Sequence, residues 1–320
     1  MNESLEIEKS AFGGQSISHS GGKIIFIPFT IPGEKIKVSI VKNKSDYAIA
    51  EAVEILESSD DRINPECPNF GRCGGCDYLH MTYDREISEK VNITRESLIR
   101  IAKIPETMIP PISIIRRDRF HYRSHARIKH MRSATGFFGK DSHNVVQFPA
   151  SGCLLLDRRI NEAIKTTRFK LAETHIAVDS SCNIITPHNG DSIDITEETN
   201  GVIYRHSIDS FFQRNSVLRG EMINRVIEYT GDDHESTVLE LGCGCGFFSI
   251  PLARKFRFLR GIDISDVSII HAKHNAEANG VTNAVFEARD DATLSQDDSA
   301  DIIIADPPRA GLSESTKNAI

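Results

Sequence analysis

The chain of 320 residues carries a formal net charge of −7, and 39% of its residues are hydrophobic. This length suffices for two or three domains, and the composition is that of an ordinary globular protein. No apolar run is long enough to span a bilayer, and the N-terminus lacks the basic and apolar segments of a signal peptide. We therefore expect a cytoplasmic protein without a membrane partner. The acidic balance argues against a protein coated in nucleic acid, but it leaves room for a local basic track.

Residues 1–57 have the pattern of a small β-barrel. Short apolar runs at 24–27, 35–41 and 48–56 alternate with turns rich in glycine and proline. Five or so short strands in this length are typical of an OB-like barrel, which commonly binds nucleic acid, although a purely structural barrel has the same pattern. The segment Gly-Gly-Lys-Ile-Ile-Phe-Ile-Pro-Phe-Thr-Ile-Pro-Gly-Glu at 21–34 resembles the TRAM domain, an RNA-binding barrel of RNA-modifying enzymes.

Three cysteines follow the predicted barrel with the spacing C-x5-C-x2-C, at Cys67, Cys73 and Cys76. Glycines between the last two allow both thiolates to turn towards one ion or cluster. Cys153 is our choice for the fourth ligand, because it is the next cysteine along the chain. In the cytosol such thiols are more often metal ligands than disulfides. A zinc ion held by four cysteines is the generic prediction from this spacing, but a [4Fe–4S] cluster also takes four thiolates, and the spacing does not decide between them.

Residues 58–205 are expected to form a central, mixed β-rich domain that holds the cysteine site, with a connecting helix over 84–104. Within it, residues 116–132 contain seven lysines and arginines against one aspartate, interleaved with aromatic residues. Cations neutralise phosphates and aromatic rings stack on unpaired bases, although a solvated strand face would look similar. We predict RNA contacts from Arg119, Arg123, Arg127 and Lys129.

Residues 206–320 alternate strands with helices. The predicted strands are 237–241, 258–262, 284–287 and 302–305, and the predicted helices are 247–255, 266–279 and 313–320. Such βαβ units build a parallel sheet with a ligand crevice at the carboxyl ends of its strands. The first strand leads into the turn Gly242-x-Gly244-x-Gly246. This spacing favours S-adenosylmethionine over NAD, because the methyl donor has no pyrophosphate for a third, later glycine to accommodate.

Three carboxylates follow the later strands. Asp263 can accept both hydroxyl protons of an adenosine ribose, and Asp291 fits a position near the adenine amine. Asp306 opens the motif Asp-Pro-Pro-Arg and projects to where the methyl donor and acceptor meet. Enzymes that methylate exocyclic amines often end this motif in an aromatic residue, so Arg309 points away from that chemistry. Upstream, the segment 211–215, Phe-Phe-Gln-Arg-Asn, is expected to open a helix capped by Asn215 or Ser216.

Together and in this order, these elements resemble the TRAM-bearing RNA uracil-C5 methyltransferases, and most closely the bacterial 23S rRNA type with an iron–sulfur cluster. The resemblance implies that the four cysteines, Cys67, Cys73, Cys76 and Cys153, hold a [4Fe–4S] cluster. It implies that Gln213, Gly242, Asp263 and Asp306, with Gly244, Gly246 and Asp291 nearby, bind S-adenosylmethionine, and that Phe211 lies near a flipped base. Because tRNA-directed bacterial relatives lack the barrel and the cluster, 23S rRNA is the expected partner of a monomeric enzyme.

In that family a cysteine adds to carbon 6 of uracil. It lies in a Ser-Cys-Asn-Pro segment after Asp-Pro-Pro-Arg, and a basic glutamate follows later. We expect both beyond Ile320, so that the 320 residues form an α/β chain with a Rossmann-like domain that lacks its last strands, without catalytic residues or activity. Cys243 and Cys245 lie in the cofactor turn and Cys182 in an ordinary loop, so none is a substitute. The alternatives are a non-catalytic RNA-binding fragment that keeps both sites, and a tRNA substrate. An NAD-linked reductase is disfavoured.

Overall fold

The structure is a computed structural model, and it describes residues 2–131, 133–169, 171–187, 191–308 and 311–320. The chain separates into two compact units. Unit 1 comprises residues 1–114 and 129–153, and unit 2 comprises residues 115–128 and 154–320. Within these described ranges, no helix combines the length and the apolar character needed to cross a bilayer. The three domain ranges drawn from the sequence stay a prediction.

Unit 1 opens with a six-stranded sheet, which confirms the β-rich N-terminal region. Its strands are β1 (Asn2–Glu6), β2 (Lys9–Ala11), β3 (Gln15–Ser20), β4 (Lys23–Pro28), β5 (Lys35–Asn43) and β6 (Tyr47–Glu57). They lie in the order β1-β5-β6-β4-β3-β2. Alternate residues such as Ile25, Ile27, Ile36 and Val38 are buried together, as the two-residue period of a strand requires.

An ion pair fixes the turn that leads into β5. Glu34 is fully buried, and its carboxylate accepts hydrogen bonds from Nε and Nη2 of Arg62 at 2.5 and 2.6 Å. The backbone amide of Ile31 donates a third at 2.9 Å. Burial alone would raise the pKa of Glu34, but the Arg62 guanidinium and the amide hold it below its usual value. The turn before β5 is thereby tied to Arg62, which follows the six-stranded sheet in the chain.

The remainder of unit 1 contains one long helix, α1 (Tyr83–Arg100), and the outer strands of a second sheet. Thr82 caps α1 by accepting a hydrogen bond from the Arg85 amide. The helix was expected to continue to residue 104, but it ends four residues earlier, and Lys103 has a left-handed φ of 58° that an α-helix does not allow. Strand β7 (His125–Met131) begins in unit 2, and its last residues pair with β8 (Ala134–Phe138), which pairs with β9 (Val145–Gln147).

Unit 2 contains the predicted parallel sheet. Its elements after β7 are α2 (Arg158–Thr166), β10 (Glu173–Val178), β11 (Ile184–Ile185), β12 (Asp194–Thr199), β13 (Val202–Ser207), α3 (Arg219–Thr230), β14 (Asp233–Leu241), α4 (Ser249–Ala253), β15 (Phe256–Asp263), α5 (Asp266–Ala278), β16 (Ala284–Ala288), β17 (Ile302–Ala305) and α6 (Glu314–Ala319). The last four strands are parallel, in the order β16-β15-β14-β17. All four predicted strands are present, and Leu241 pairs with Ile262 and Ala305, so three strands end at one edge.

Two predicted helices begin or end elsewhere. The helix expected over 247–255 covers only Ser249–Ala253, because the chain turns directly into β15 at Phe256. The helix after Phe211 begins only at Arg219, behind a short 3₁₀ turn at Ser216–Leu218. Neither predicted cap is used for α3, since the Ser216 hydroxyl donates instead to the Tyr122 carbonyl at 3.1 Å.

Candidate active site

The glycine turn between β14 and α4 forms the floor of a cavity in unit 2. Gly242, Gly244 and Gly246 have φ values of 71°, 55° and 86°, which only glycine adopts without strain. The turn brings its backbone to the edge where the parallel strands end. The cavity is lined by aromatic rings, turn backbone and polar side chains, namely Phe211, Phe212, Gln213, Glu240, Gly242, Cys243, Gly244, Cys245, Phe247, Phe248 and Asp306.

Four of the residues predicted to bind the cofactor meet at this cavity: Gln213, Gly242, Gly244 and Asp306. Gln213 Nε2 lies 3.5 Å from Asp306 Oδ2, although these residues are 93 positions apart. Phe211, predicted to lie near the base, is on the same wall and is 69% exposed. The structure therefore brings together residues that the sequence places on separate elements.

Asp263 lies next to the turn at the end of β15. One carboxylate oxygen accepts the Gly244 amide at 2.8 Å, and the other accepts the Ser265 amide at the same distance. This fixes the carboxylate while leaving lone pairs for ribose hydroxyls. Asp263 is beside the cavity and not part of its lining, and Gly246 and Asp291 do not line it either. Gly246 packs against Ile250, and Asp291 begins a 3₁₀ turn at Asp291–Thr293.

The electrostatics of the cavity suit a cation. Glu240 is buried beneath the turn and accepts a hydrogen bond from the Ser249 hydroxyl. Burial raises the pKa of Glu240 to about 8 against the effect of that bond, and the negative charges of Asp306 and Asp263 add to the rise. Glu240 is therefore a neutral acid at neutral pH, and the carboxylates that favour a cation are Asp306 in the cavity lining and Asp263 beside the turn. Among the described residues, no lysine, arginine or histidine lines this cavity. A sulfonium or an ammonium group is better accommodated next to these carboxylates than a pyrophosphate.

Glu240 had no role in the sequence-based prediction. It stands within the apolar run of β14, immediately before the glycine turn, and a lone carboxylate in a buried strand is the signal that identifies it. The two cysteines of the turn are also buried, at 3% and 4% exposure. Burial raises the pKa of Cys243 far above its usual value and that of Cys245 to about 12. Both thiols therefore stay protonated at neutral pH. Their exclusion as nucleophiles stays a prediction.

A buried arginine supports the segment 211–215. Arg219 Nε donates to the Gln213 carbonyl at 2.7 Å, and its guanidinium centre lies 4.6 Å from the centroid of the Phe212 ring. Its terminal nitrogens donate to Glu197 Oε2 at 2.8 Å and to Ser124 Oγ at 2.9 Å. The arginine thus links the backbone of the cavity wall to β12 and to the start of β7.

Behind this arginine lies a buried group of three side chains, His125, Glu197 and His206. His125 Nε2 is 3.7 Å from Glu197 Oε1, and the nearest ligand atoms of all three lie within 4.8 Å of one another. Burial lowers the pKa of His125 to about 2 and of His206 to about 4, so both rings are neutral. The residue types suit zinc. However, the Arg219 charge already balances Glu197, and a divalent ion here would leave a large uncompensated positive charge. We read the group as support for Phe212, on which His206 stacks with centroids 4.3 Å apart.

The four predicted cluster ligands, Cys67, Cys73, Cys76 and Cys153, all belong to unit 1 and are half-buried without disulfides. The Cys73 amide donates to the Asn69 carbonyl at 2.9 Å, and burial, with a contribution from Cys67, raises the pKa of the Cys73 thiol. Among the described residues, the three possible metal-ligand atoms that lie within 4.8 Å of one another belong to His125, Glu197 and His206. None of the four cysteine sulfurs is in that group. The cluster site stays a prediction.

The basic track is divided between the units. Arg119, Arg123 and Arg127 belong to unit 2 and Lys129 to unit 1, where its ammonium lies 4.8 Å from the Phe138 centroid. Arg119 lies 5.8 Å from the Phe120 centroid. Arg309, the residue that argues against methylation of an exocyclic amine, lies outside the described residues.

Comparison with known proteins identifies the family. The family model for tRNA (uracil-5-)-methyltransferase matches residues 149–292, and the TRAM domain model matches residues 4–53. An uncharacterized RNA methyltransferase of Aquifex aeolicus is 30% identical over 96% of this chain and 83% of its own length, and one from Leptospira interrogans is 30% identical over 94% and 77%. The Pyrococcus abyssi tRNA (uracil-54, C5)-methyltransferase, solved with S-adenosyl-L-homocysteine, shares the fold with a TM-score of 0.72 and 21% identity, covering 98% of this chain and 86% of its own. The chain therefore belongs to the S-adenosylmethionine-dependent RNA (uracil-5-)-methyltransferases.

Proposed function

We propose that the protein methylates carbon 5 of uracil in RNA at the cavity over the glycine turn. The observation that carries this proposal is the juxtaposition of an exposed aromatic ring, Phe211, with a carboxylate-lined cavity that contains Gln213 and Asp306. The carboxylates complement a cationic methyl donor, and the ring offers a flat surface on which a base turned out of its stack can lie. S-adenosylmethionine supplies the electrophilic methyl group.

Each residue at the cavity has a separate role in the proposed reaction. Asp263, fixed by two backbone amides, accepts the ribose hydroxyls, and the turn backbone at Gly242 and Gly244 approaches the donor closely. Asp306 and Gln213 orient the donor and the base between them. Carbon 5 is a poor nucleophile, so we propose that a cysteine thiolate first adds to carbon 6. Carbon 5 then takes the methyl group, a base removes its proton, and the thiolate leaves. From the resemblance to the family, we expect that cysteine after the Asp306 motif.

Two RNA substrates compete. We propose 23S rRNA, because the TRAM match and the four cysteines accompany the ribosomal type of the family. A tRNA substrate is the second candidate. It is favoured by the Pyrococcus abyssi tRNA enzyme, whose fold spans 98% of this chain, so that a TRAM-like barrel by itself does not exclude tRNA. We further propose a [4Fe–4S] cluster at the cysteines, with zinc as the alternative.

The test uses donor labelled in the methyl group and unmodified transcripts of 23S rRNA and tRNA. Label in 5-methyluridine after nuclease digestion supports the proposal, and label on an exocyclic amine or a ribose overturns it. Transfer to tRNA alone would replace the ribosomal substrate. Calorimetry with S-adenosylmethionine and NAD tests the cavity independently of the reaction, because binding of NAD alone would contradict the assignment.

A further inference from the structure

A second, smaller cavity lies in unit 2 beside the segment 210–214. Its polar lining consists of His125, Arg127, His175, Ser210 and Arg214. Phe212 lines both this cavity and the cofactor cavity, so one ring forms part of each wall. The two cavities are therefore neighbours, and one short segment of chain supplies side chains to both.

Arg127 is held in place by a hydrogen bond to His175. The His175 Nδ1 lies 3.1 Å from the Ile208 carbonyl and 3.0 Å from Asp209, so it carries the ring proton. Its Nε2 is then an acceptor, and Arg127 Nε donates to it at 2.9 Å. Arg127 Nε also lies 3.1 Å from Glu173. Both contacts use Nε, so neither occupies the terminal nitrogens that form a fork for a phosphate.

Arg214 differs from Arg127 in having no counter-ion. Among the described residues, no side chain makes an ion pair or a hydrogen bond with its guanidinium, while its backbone carbonyl accepts the Ser124 amide at 3.2 Å. Partial burial lowers the pKa of Arg214, and the charges of Arg123 and Arg127 lower it further. Three guanidinium groups thus share one neighbourhood of an acidic protein. An anion would relieve their mutual repulsion.

The acidic groups nearby are already engaged. Glu173 lies against Arg127, and Asp209 against His175. Neither contacts Arg214. Ser210, half-buried in the same wall, adds a hydroxyl donor. Two forked cations and a hydroxyl around one small cavity are the groups that proteins use to bind a phosphate.

We propose that Arg127 and Arg214, together with Ser210, bind a backbone phosphate of the RNA next to the nucleotide that stacks on Phe211. This inference rests on the proposed RNA substrate and deepens it. Phe211 lies between Ser210 and Arg214 in the chain. The segment 210–214 therefore contacts both the flipped base and the neighbouring phosphate. A phosphate is the same in every nucleotide, so this contact positions the RNA along the protein and does not select the base. Arg119 and Lys129, which belong to the basic track, are not part of this site.

The test is the salt dependence of RNA binding by Arg214→Gln and Arg127→Gln, measured with a uridine-rich single-stranded RNA. Each lost phosphate contact should reduce the slope of log affinity against log salt by about 0.7 and weaken binding about tenfold at low salt. The matched control is Arg225→Gln, which removes the same charge from an exposed arginine paired with Glu228. This control should leave the slope unchanged. Arg214→Lys keeps the charge without the fork and should restore the slope but only part of the affinity.

A second measurement separates this site from the proposed reaction. An RNA with one methylphosphonate linkage beside the target uridine lacks the charge that the site binds. The wild-type protein should bind it more weakly, and Arg214→Gln should bind both RNAs equally, because the partner is already lost. An unchanged slope in Arg214→Gln, with methyl transfer to uracil intact, overturns the phosphate site alone. Absence of RNA binding by the wild type overturns the site and the proposed function together. Unaltered affinity for S-adenosylmethionine and an unaltered melting temperature establish that the variants are folded.

Discussion

Arg219 donates a hydrogen bond from Nε to the backbone carbonyl of Gln213, at 2.7 Å. The donor is a buried side chain on α3, and the acceptor belongs to the irregular segment that forms one wall of the cofactor cavity. Irregular segments do not satisfy their own backbone groups, so a donor supplied from the core determines where this wall lies. The position of the Gln213 amide therefore depends on a residue that does not line the cavity.

We expect Arg219→Met to destabilise unit 2 by about 3–5 kcal/mol, because it leaves the buried Glu197 carboxylate without its partner. Urea unfolding of the variant measures this loss. The double variant Glu197→Gln/Arg219→Met removes both charges and should recover a large part of the stability. As a control, Arg225→Met breaks an exposed pair with Glu228 and should cost no more than about 1 kcal/mol. If the single and double variants were equally unstable, the stranded charge would not be the cause.

The proton on Glu240 makes the stability of unit 2 depend on pH. The folded protein keeps this proton up to about pH 8, whereas the unfolded chain releases it near pH 4.5. Unfolding between these values therefore releases a proton, and the contribution of Glu240 to stability is full below about pH 4.5 and is lost as the pH rises to 8. The slope from this one group is at most about 1.4 kcal/mol per pH unit.

Glu240→Gln replaces the neutral acid by a neutral amide, so the variant should lack this part of the pH dependence. Denaturant unfolding at several pH values between 5 and 8, compared with the wild type, measures the difference. Glu228→Gln, at an exposed position of α3, serves as the control and should keep the wild-type profile. A variant profile parallel to that of the wild type would mean that Glu240 is ionised in the folded protein.

The Asp306 carboxylate should distinguish the methyl donor from its product. S-adenosylmethionine carries a positive sulfonium, and S-adenosylhomocysteine has a neutral sulfur at the same position. We expect Asp306→Asn to weaken binding of the donor about tenfold, or about 1.4 kcal/mol, and binding of the product much less. Calorimetry with both ligands measures the two losses. An equal loss for both ligands would assign Asp306 to the shared adenosine or amino-acid part.

Local patterns predicted the parallel sheet well. The buried apolar runs and the glycine spacing each report on neighbours in the chain, and the strand ends place Asp263 and Asp306 at one edge. The contacts of Arg219 with Ser124 and Glu197 connect positions 95 and 22 residues apart, so no local pattern contains them. A long-range contact also explains why α3 begins later than predicted. The Ser216 hydroxyl donates a hydrogen bond to the Tyr122 carbonyl instead of capping the helix.

The metal content of the purified protein decides between the two readings of the cysteine spacing. A [4Fe–4S] cluster predicts about four iron and four sulfide ions per chain with broad visible absorbance, and a structural zinc site predicts one zinc ion and no colour. We expect iron, and we expect Cys73→Ser to lose it. Cys182→Ser is the matched control, because Cys182 is an exposed thiol in unit 2. This variant should keep the full iron content. A stoichiometric zinc ion that disappears in Cys73→Ser would establish the zinc reading, and four thiols that all react in the anaerobically purified protein would exclude both.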